Sequence, residues 1–266
     1  MIRRRLDAEL VRRGLARSRG EAAELVSGGG VLVNGRVAEK PATAVGPDDA
    51  LALRRPLRRY VSRGGEKLAP VLDRFRGSGL VVSGRRCLDA GASTGGFTEV
   101  LLQAGAAEVI AVDVGYGQLA WSLRTDPRVR VVERTNVRTL TLDRIGGRHV
   151  HLVVADLSFI SLTLVLPALH AVAEPEADFI LLVKPQFEVG KDLVTAGGVV
   201  RDPALRAMAV RRVAAAAAEL GLGVAAVAPS PLPGPAGNVE FFLWLRPDAP
   251  ELQDHDLGVA MAEAPA

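Results

Sequence analysis

The chain has 266 residues, of which 48% are hydrophobic and 24% are charged, so it can bury a core and is not disordered by composition. Its single cysteine excludes a disulfide framework, and with only four scattered histidines we expect no metal site. No apolar segment follows the basic first residues, and no uninterrupted apolar run is long enough to span a membrane. We therefore expect a cytoplasmic protein without a membrane partner.

Positive charge is concentrated near the start of the chain. Residues 1–60 contain 13 Lys and Arg against 7 Asp and Glu, whereas the whole chain contains 33 against 30, so the remainder is mildly acidic. A basic module joined to an acidic one indicates contact with a polyanion, nucleic acid above all. A solvated, arginine-rich surface is the alternative.

The basic module is predicted to contain two helices followed by a hairpin. Apolar residues recur at helical spacing over 6–11, and Ser18 followed by Glu21 is a capping box that opens a second helix. Valines flank Asn34-Gly35, which is a strong signal for a two-residue hairpin turn. Several arginines cluster where the first helix gives way to the second, a position from which they can bracket phosphates.

This order of elements resembles the small RNA-binding domain named after ribosomal small-subunit protein four. The resemblance covers about residues 3–55 and rests on RLD, SR and VNG in RLDAELVRRGLARSRGEAAELVSGGGVLVNGRV. It implies RNA binding without chemistry, in a domain that we assign to residues 1–55, followed by a basic linker over 56–62. The arginines expected to contact RNA are Arg4, Arg12, Arg13, Arg17, Arg19, Arg58, Arg59 and Arg63.

The larger module, residues 63–250, alternates strands and helices. Continuous apolar runs predict strands over 86–90, 109–113, 129–133, 151–156, 179–184, 223–228 and 239–245, with helices over 99–104 and 203–220. Such runs with helices between them indicate an α/β fold, in which a buried, mostly parallel sheet is covered on both faces. The acidic segment 251–266 is expected to be a mobile tail.

Four charged side chains stand at the ends of predicted strands. Asp89, Asp113, Asp156 and Lys184 each end an apolar run. Ligands of open α/β sheets bind at the carboxyl ends of the strands, so we expect these four residues to face one crevice. A single charge at such a place is often only a helix cap, but four on successive strands favour a site.

Residues 91–97, Gly-Ala-Ser-Thr-Gly-Gly-Phe, follow a strand and precede a helix, as nucleotide-binding loops do. The loop is neither a G-x-G-x-x-G motif nor a P-loop, which disfavours NAD and ATP. It suits a ligand whose amino-acid end is approached closely by backbone, and Asp113 is placed to accept hydrogen bonds from a ribose diol. A plain tight turn is the alternative.

The larger module resembles the S-adenosylmethionine-dependent methyltransferases, with a Rossmann-like sheet of seven strands, and it is close to the FtsJ-type ribose 2′-O-methyltransferases. The two modules together resemble the TlyA family over about residues 3–246, through YVSRGGEK, LDAGASTGGFTE, DLSFIS, VKPQFE and GNVEFFLW. The resemblance implies methylation of cytidine in 16S or 23S rRNA of ribosomal subunits, with S-adenosyl-L-methionine as cofactor.

The Lys-Asp-Lys-Glu set of the FtsJ-type enzymes maps onto Lys67, Asp156, Lys184 and Glu240. A ribose hydroxyl needs a positioned base, and a lysine can serve where burial and a neighbouring cation lower its pKa. We assign Lys184 as the base, Asp156 and Glu240 as orienting carboxylates, and Lys67 as an orienting, substrate-positioning cation. FtsJ-type loops usually carry Pro in place of Thr94 and Trp in place of Phe97, and the TlyA family shares this chain's version. The residues implied around the cofactor are Asp89, Gly91, Ser93, Thr94, Gly95, Gly96, Phe97, Asp113 and Asn136.

Cys87 and the DLSF motif disfavour two other methyl-transfer chemistries. Methylation at carbon five of a pyrimidine needs a cysteine nucleophile, whereas Cys87 lies inside an apolar strand and is expected to pack there. Exocyclic-amine methyltransferases commonly carry Asn/Asp-Pro-Pro-aromatic where this chain has residues 156–159, DLSF. A membrane-active, haemolysin-like protein and an RNA-binding module on an inactive methyltransferase fold remain alternatives. The loop 188–199 either closes over RNA or is a plain surface loop.

Overall fold

The computed structural model describes residues 3–54, 59–195 and 197–265. The chain divides into two compact units, Met1–Arg59 and Tyr60–Ala266. Arg58, one of the expected RNA contacts, and the first part of the predicted linker, residues 56–58, lie outside the described residues.

The first unit packs two helices against short antiparallel strands. Ser18 caps the second helix by accepting the Glu21 N–H, as the capping box predicts, and Asn34 and Gly35 both adopt the positive φ that a tight hairpin turn requires. The sequence predicts neither the short strand before the first helix nor the two strands that follow the hairpin. In chain order the elements are β1 (Arg4–Arg5), α1 (Leu6–Arg12), α2 (Arg19–Ser27), β2 (Val31–Val33), β3 (Arg36–Val37), β4 (Ala44–Val45) and β5 (Leu51–Leu53). β1 pairs with β4, and β2 lies between β3 and β5.

The second unit is built on a sheet of seven strands among the described residues. Its strands are β6 (Arg86–Ala90), β7 (Glu108–Val112), β8 (Val129–Val132), β9 (Val150–Ala155), β10 (Ala173–Val183), β11 (Gly223–Pro229) and β12 (Phe241–Arg246). The spatial order is β11-β12-β10-β9-β6-β7-β8, and β12 runs antiparallel to both neighbours while the other described pairings are parallel. The predicted α/β fold with a mostly parallel sheet is confirmed. Strand ends fall within two residues of the prediction, except that β10 begins six residues earlier than expected.

Helices cover both faces of this sheet. Successive residues of a strand point to opposite faces, so along β6 Cys87 joins one buried cluster and Leu88 the other. The Leu88 cluster receives residues of α8 (Pro203–Ala218) and α9 (Asp254–Glu263). The Cys87 cluster receives residues of α3 (Arg63–Gly77) and α4 (Gly96–Gln103). The helices are α3 (Arg63–Gly77), α4 (Gly96–Gln103), α5 (Trp121–Arg124), α6 (Leu166–Ala171), α7 (Pro185–Glu188), α8 (Pro203–Ala218) and α9 (Asp254–Glu263).

The acidic C-terminal segment corrects the expectation of a mobile tail. Most of it forms α9, whose Leu257 and Ala260 are buried in the core. Ion pairs join Arg211 to Asp254 at 2.7 Å and Arg74 to Glu263 at 2.6 Å. The few apolar residues of this acidic segment are a weak sequence signal, but Leu257 and Ala260 lie at helical spacing and hold the helix on the core.

Candidate active site

Three of the four predicted catalytic residues stand beyond strand ends on neighbouring strands. Asp156 follows β9, Lys184 follows β10, and Glu240 precedes β12. Because β12 is antiparallel to β10, with Val183 opposite Phe241, the start of β12 lies at the same edge of the sheet as the end of β10. The topology therefore brings these side chains to the carboxyl edge of the parallel strands, where α/β sheets bind ligands.

The four residues form two lysine–carboxylate pairs. Lys184 Nζ lies 2.5 Å from Asp156 Oδ1 and donates a hydrogen bond to Ser158 Oγ at 2.9 Å. Lys67 Nζ donates to Glu240 Oε2 at 2.5 Å, and these two side chains are only 7% and 1% exposed. Buried charges persist when they are paired, so each carboxylate fixes the orientation of an ammonium group. Glu240 Oε1 is buried without a hydrogen-bond partner among the described residues, which leaves one acceptor for a ligand.

Lys67 is positioned by the close packing of the start of α3 against the start of α4, where glycines allow the two backbones to approach. A Cβ on Gly96, at the start of α4, would lie 2.3 Å from Ser62 Oγ and 2.6 Å from Gly65 N. The α4 residue Glu99 accepts the Val61 N–H at 2.6 Å. The start of α3 therefore lies directly against the glycine loop, and Lys67 is held about one turn further along α3.

The glycine loop has a left-handed backbone at three positions. Gly91, Ser93 and Gly95 have φ of +85°, +48° and +102°. A Cβ on Gly91 would lie 2.6 Å from the Asp156 carbonyl oxygen, so the backbone of the loop passes directly beside the strand end that carries Asp156. A non-glycine residue such as Ser93 in this region is uncommon and often marks a functional site.

Asp113 ties the glycine loop to the loop after β7. Its Oδ2 accepts the Ser93 N–H at 2.8 Å, and its Oδ1 accepts the Gly115 N–H at 2.6 Å. Each carboxylate oxygen retains a further lone pair, so the side chain can still accept hydroxyl groups. Asp113 thus both shapes the loop and stays available to a ribose diol.

Asp89 is buried beneath the same loop. Its Oδ2 accepts the Thr98 hydroxyl at 2.6 Å, and its Oδ1 has no hydrogen-bond partner among the described residues. Burial raises the pKa of Asp89 to about 7, more than the Thr98 hydrogen bond lowers it. A cationic group brought next to this orphaned oxygen would favour the ionised form, and the amino-acid end of S-adenosylmethionine carries such an ammonium group.

Of the other residues predicted around the cofactor, three are buried, whereas Thr94 and Asn136 are not. Gly95 and Gly96 are buried, and Phe97 packs into the core with its ring centroid 6.0 Å from that of Phe242, so its side chain supports the loop from behind. Thr94 uses its carbonyl to accept the Ala120 N–H. Asn136 is exposed and caps a 3-10 turn by accepting the Arg138 N–H at 3.0 Å.

The clustered arginines of the first unit are held by two buried carboxylates and one partly exposed one. Glu9 pairs with Arg12 and Arg13 at 2.5 and 2.8 Å, Asp7 pairs with Arg19 at 3.1 Å, and Glu21 pairs with Arg17 at 2.8 Å. Hydrogen bonds from Arg5, and to a lesser degree from Arg19, hold the pKa of Asp7 well below its usual range. Hydrogen bonds from Arg12 and Arg13 do the same for the pKa of Glu9.

The structure separates these arginines by role. Arg13 also donates to the backbone carbonyls of Gly46, Pro47 and Asp49 and is only 22% exposed, which makes it a support of the fold. Arg12, Arg17 and Arg19 are exposed, as is Arg4 on β1. In the second unit Arg63 donates to the Pro233 carbonyl at 2.9 Å. Arg59, the last residue of the first unit, is exposed.

The sequence prediction missed two exposed aromatic residues beside the site. Phe159 is 91% exposed, has φ of +65°, and its ring centroid lies 5.3 Å from that of Phe187. Tyr116 is exposed in the loop after β7, and the Arg134 guanidinium lies 4.3 Å from its ring centroid. Exposed aromatic faces next to strand-end catalytic groups are suited to stacking on bases. Phe159 is the aromatic residue of the DLSF motif and directly follows Ser158, and this position next to a predicted strand end is a signal that could have found it.

Together, the seven-stranded sheet, the glycine loop and the strand-end lysines define an α/β methyltransferase domain, joined to a small helix-and-hairpin domain. The FtsJ-like methyltransferase family matches residues 60–247, and the S4 domain family matches residues 4–51. The chain belongs to the TlyA family of FtsJ-like methyltransferases that carry an S4 domain. S-adenosyl-L-methionine is the cofactor of this family.

Individual relatives resemble the chain over most of its length. The 16S/23S rRNA (cytidine-2′-O)-methyltransferase TlyA of Mycobacterium tuberculosis is 64% identical over 245 residues, which cover 92% of this chain and 90% of the relative. YqxC of Bacillus subtilis, a proposed rRNA methyltransferase, is 42% identical over 91% of this chain and 85% of its own. A proposed hemolysin from Streptococcus thermophilus has a solved structure that is 37% identical, with a TM-score of 0.73 over 99% of this chain and 97% of that one.

Within residues 3–54, 59–195 and 197–265, none of the helices is both long and apolar enough to cross a bilayer.

Proposed function

We propose that this chain transfers a methyl group from S-adenosylmethionine to the ribose 2′-hydroxyl of a cytidine in ribosomal RNA, in the cytoplasm. The observation that carries the proposal is Lys184, whose ammonium group is oriented by Asp156 and Ser158 at the strand edge beside the glycine loop. The substrate comes from the relatives, since the TlyA enzyme with 64% identity is a 16S/23S rRNA cytidine-2′-O-methyltransferase.

Lys184 is suited to hold and move the proton of the target hydroxyl. A ribose hydroxyl is a poor nucleophile, so a base must take its proton. A lysine can accept that proton only when its own amine is neutral. Asp156 and Ser158 hold the Lys184 amine in place, and the pairing with Glu240 keeps the Lys67 cation in place.

The residues of the glycine loop fit the cofactor. When bound, S-adenosylmethionine supplies an electrophilic methyl group on a sulfonium centre. Gly91 and Gly95 supply the left-handed backbone of the loop, Asp113 offers acceptors for a ribose, and the orphaned Asp89 Oδ1 offers one for the amino-acid end. The exposed arginines of the first unit contact the phosphate backbone of the RNA, and Phe159 and Tyr116 contact bases near the target.

The proposal is tested by methyl transfer to ribosomal subunits that lack the modification. Subunits incubated with the protein and methyl-tritiated S-adenosylmethionine are expected to gain label in their rRNA. A folded protein that binds the cofactor but leaves both subunits unlabelled would refute the proposal.

Asp113→Ala is expected to weaken S-adenosylmethionine binding by about 1–3 kcal/mol, because the cofactor loses a charged acceptor and the loop loses its anchor at Ser93 N. Isothermal titration calorimetry measures the change. Asp143→Ala, at an exposed aspartate outside the site, is the matched control and should leave the affinity unchanged. Equal affinities for the two variants would mean that the cofactor binds elsewhere.

Cys87→Ser is expected to keep methyl transfer, with some loss of stability because a hydroxyl replaces a thiol in the core. Burial raises the pKa of the Cys87 thiol to about 12, so a nucleophilic thiolate is not available at neutral pH. The single-turnover rate on ribosomal subunits checks this prediction. Loss of transfer in a folded, cofactor-binding variant would instead support cysteine-dependent base methylation.

A further inference from the structure

Glu188 is a buried carboxylate that joins two segments of the candidate active site. It ends α7, the short helix that directly follows Lys184. Its side chain is 2% exposed, its Oε1 accepts the Leu162 N–H at 2.8 Å, and its Oε2 accepts the Ser161 hydroxyl at 2.6 Å. The carboxylate therefore links α7 to the segment that follows β9.

That segment, residues 156–162, is called the DLSF loop below. Near its start, Asp156 and Ser158 contact Lys184, and at its end Ser161 and Leu162 contact Glu188. Both ends of the DLSF loop are thus fixed to two side chains that lie only four residues apart in the chain. Between these fixed points stands Phe159, which has a left-handed backbone and an exposed ring.

Such a loop does not hold its shape without anchors. Ordering each residue costs about 1–2 kcal/mol of conformational entropy, and a bulky residue with positive φ adds strain. Ser158 and Phe159 are exposed, whereas Ile160 and Leu162 pack on the core. At the loop's far end the two hydrogen bonds to Glu188 add a directional, polar restraint to this apolar packing.

The restraint depends on the carboxylate and on the fixed position of α7. A glutamine of the same size can accept from only one of the two donors, and its NH2 group would compete for the Ser161 hydroxyl oxygen, which already accepts the Thr163 N–H at 3.2 Å. The Glu188 backbone carbonyl in turn accepts a hydrogen bond from Arg212 of α8 at 2.8 Å. Because α8 packs in the core, the helix end that carries Glu188 is itself anchored.

We propose that Glu188 is a positioning residue for methyl transfer, which holds the DLSF loop so that Asp156 and Ser158 orient the Lys184 amine toward the target hydroxyl. The inference rests on the proposed function, in which Lys184 takes the hydroxyl proton. Glu188 itself does not touch the substrate, and it acts through the partners of Lys184.

The test compares Glu188→Gln with Asp178→Asn. Asp178 is a similarly buried carboxylate in the middle of β10, where it accepts the Trp244 Nε1–H at 2.8 Å and pairs with Arg85. Glu188→Gln is expected to lower kcat by about ten- to hundredfold, as small misplacements of reacting groups do, with KM for ribosomal subunits and the cofactor affinity unchanged. It should also shift the pH at which kcat rises. Asp178→Asn should lower the Tm but leave kcat and its pH profile as in the wild type.

Ser161→Ala provides a second variant that removes one of the same hydrogen bonds from the loop side. It is expected to lower kcat in the same direction, and its effect should not add to that of Glu188→Gln, because both break one contact. A wild-type kcat for both Glu188→Gln and Ser161→Ala would overturn the inference. So would an equal loss of kcat in Glu188→Gln and Asp178→Asn when the two variants have the same Tm. Failure of the proposed function is separate, since it would appear as absent methylation in the wild type or as full activity of Lys184→Ala.

Discussion

Lys184→Ala is expected to abolish methyl transfer to ribosomal subunits while leaving the fold and the binding of S-adenosylmethionine nearly intact. Lys184 stands at the edge of the sheet, where its amine contacts Asp156 and Ser158. General-base catalysis contributes about 10²–10⁴-fold, so the single-turnover rate should fall by at least that order. Cofactor affinity, measured by calorimetry on the same preparation, should change little.

Lys67→Ala is the informative comparison for this prediction. Its loss leaves Glu240 buried without its cation, so we expect lower stability as well as lower activity. Lys184→Ala should lose activity with a smaller loss of stability, because the Asp156 side chain is 22% exposed whereas that of Glu240 is 1% exposed. If Lys184→Ala keeps more than about a tenth of the wild-type rate, Lys184 is not an essential base.

Removal of residues 1–59 is expected to separate RNA recognition from cofactor binding. The first unit has its own core, formed by residues such as Leu6, Leu10 and Val26, and the predicted catalytic and cofactor residues lie in the second unit. The shortened protein should bind S-adenosylmethionine normally and lose affinity for ribosomal RNA. The loss should be largest at low salt, because arginine–phosphate contacts release counterions and weaken as salt rises.

Point substitutions in the full chain sharpen that prediction. Arg19→Gln should lower the RNA affinity and reduce the salt slope by about one unit, because the side chain is exposed and pairs only at one edge with Asp7. Arg13→Gln should instead destabilise the first unit, since Arg13 joins Glu9 to three backbone carbonyls. A truncated protein that binds and methylates subunits as well as the full chain, at low and moderate salt alike, would defeat the assignment of RNA recognition to this unit.

The fold could be predicted because its signals are local. The seven apolar runs that become strands are continuous, and charged residues or turns end them, so β6 and β9 were placed to within a residue or two. The Ser18 cap and the Asn34-Gly35 turn are short-range devices whose geometry follows from two or three neighbouring residues. The helix α9 was missed because a few apolar residues at helical spacing are a weak signal within an acidic segment.

Pairings across the site could be predicted only in part. The motif resemblance gathered Lys67, Asp156, Lys184 and Glu240 into one set, but which lysine meets which carboxylate depends on the antiparallel placement of β12. Nothing local to Glu188 indicates that it meets Ser161, 27 positions earlier in the chain. Likewise, Phe97 was expected at the cofactor because of its place in the motif, whereas its side chain packs against Phe242.

The central claim, transfer to a ribose hydroxyl, is tested most directly by the chemical identity of the methylated nucleoside. Ribosomal subunits methylated by the protein can be digested to nucleosides and analysed by mass spectrometry, with Lys184→Ala as the inactive reference. We predict 2′-O-methylcytidine in the wild-type reaction and none with the variant. A methyl group on the base, or 2′-O-methylation that persists with Lys184→Ala, would contradict the account.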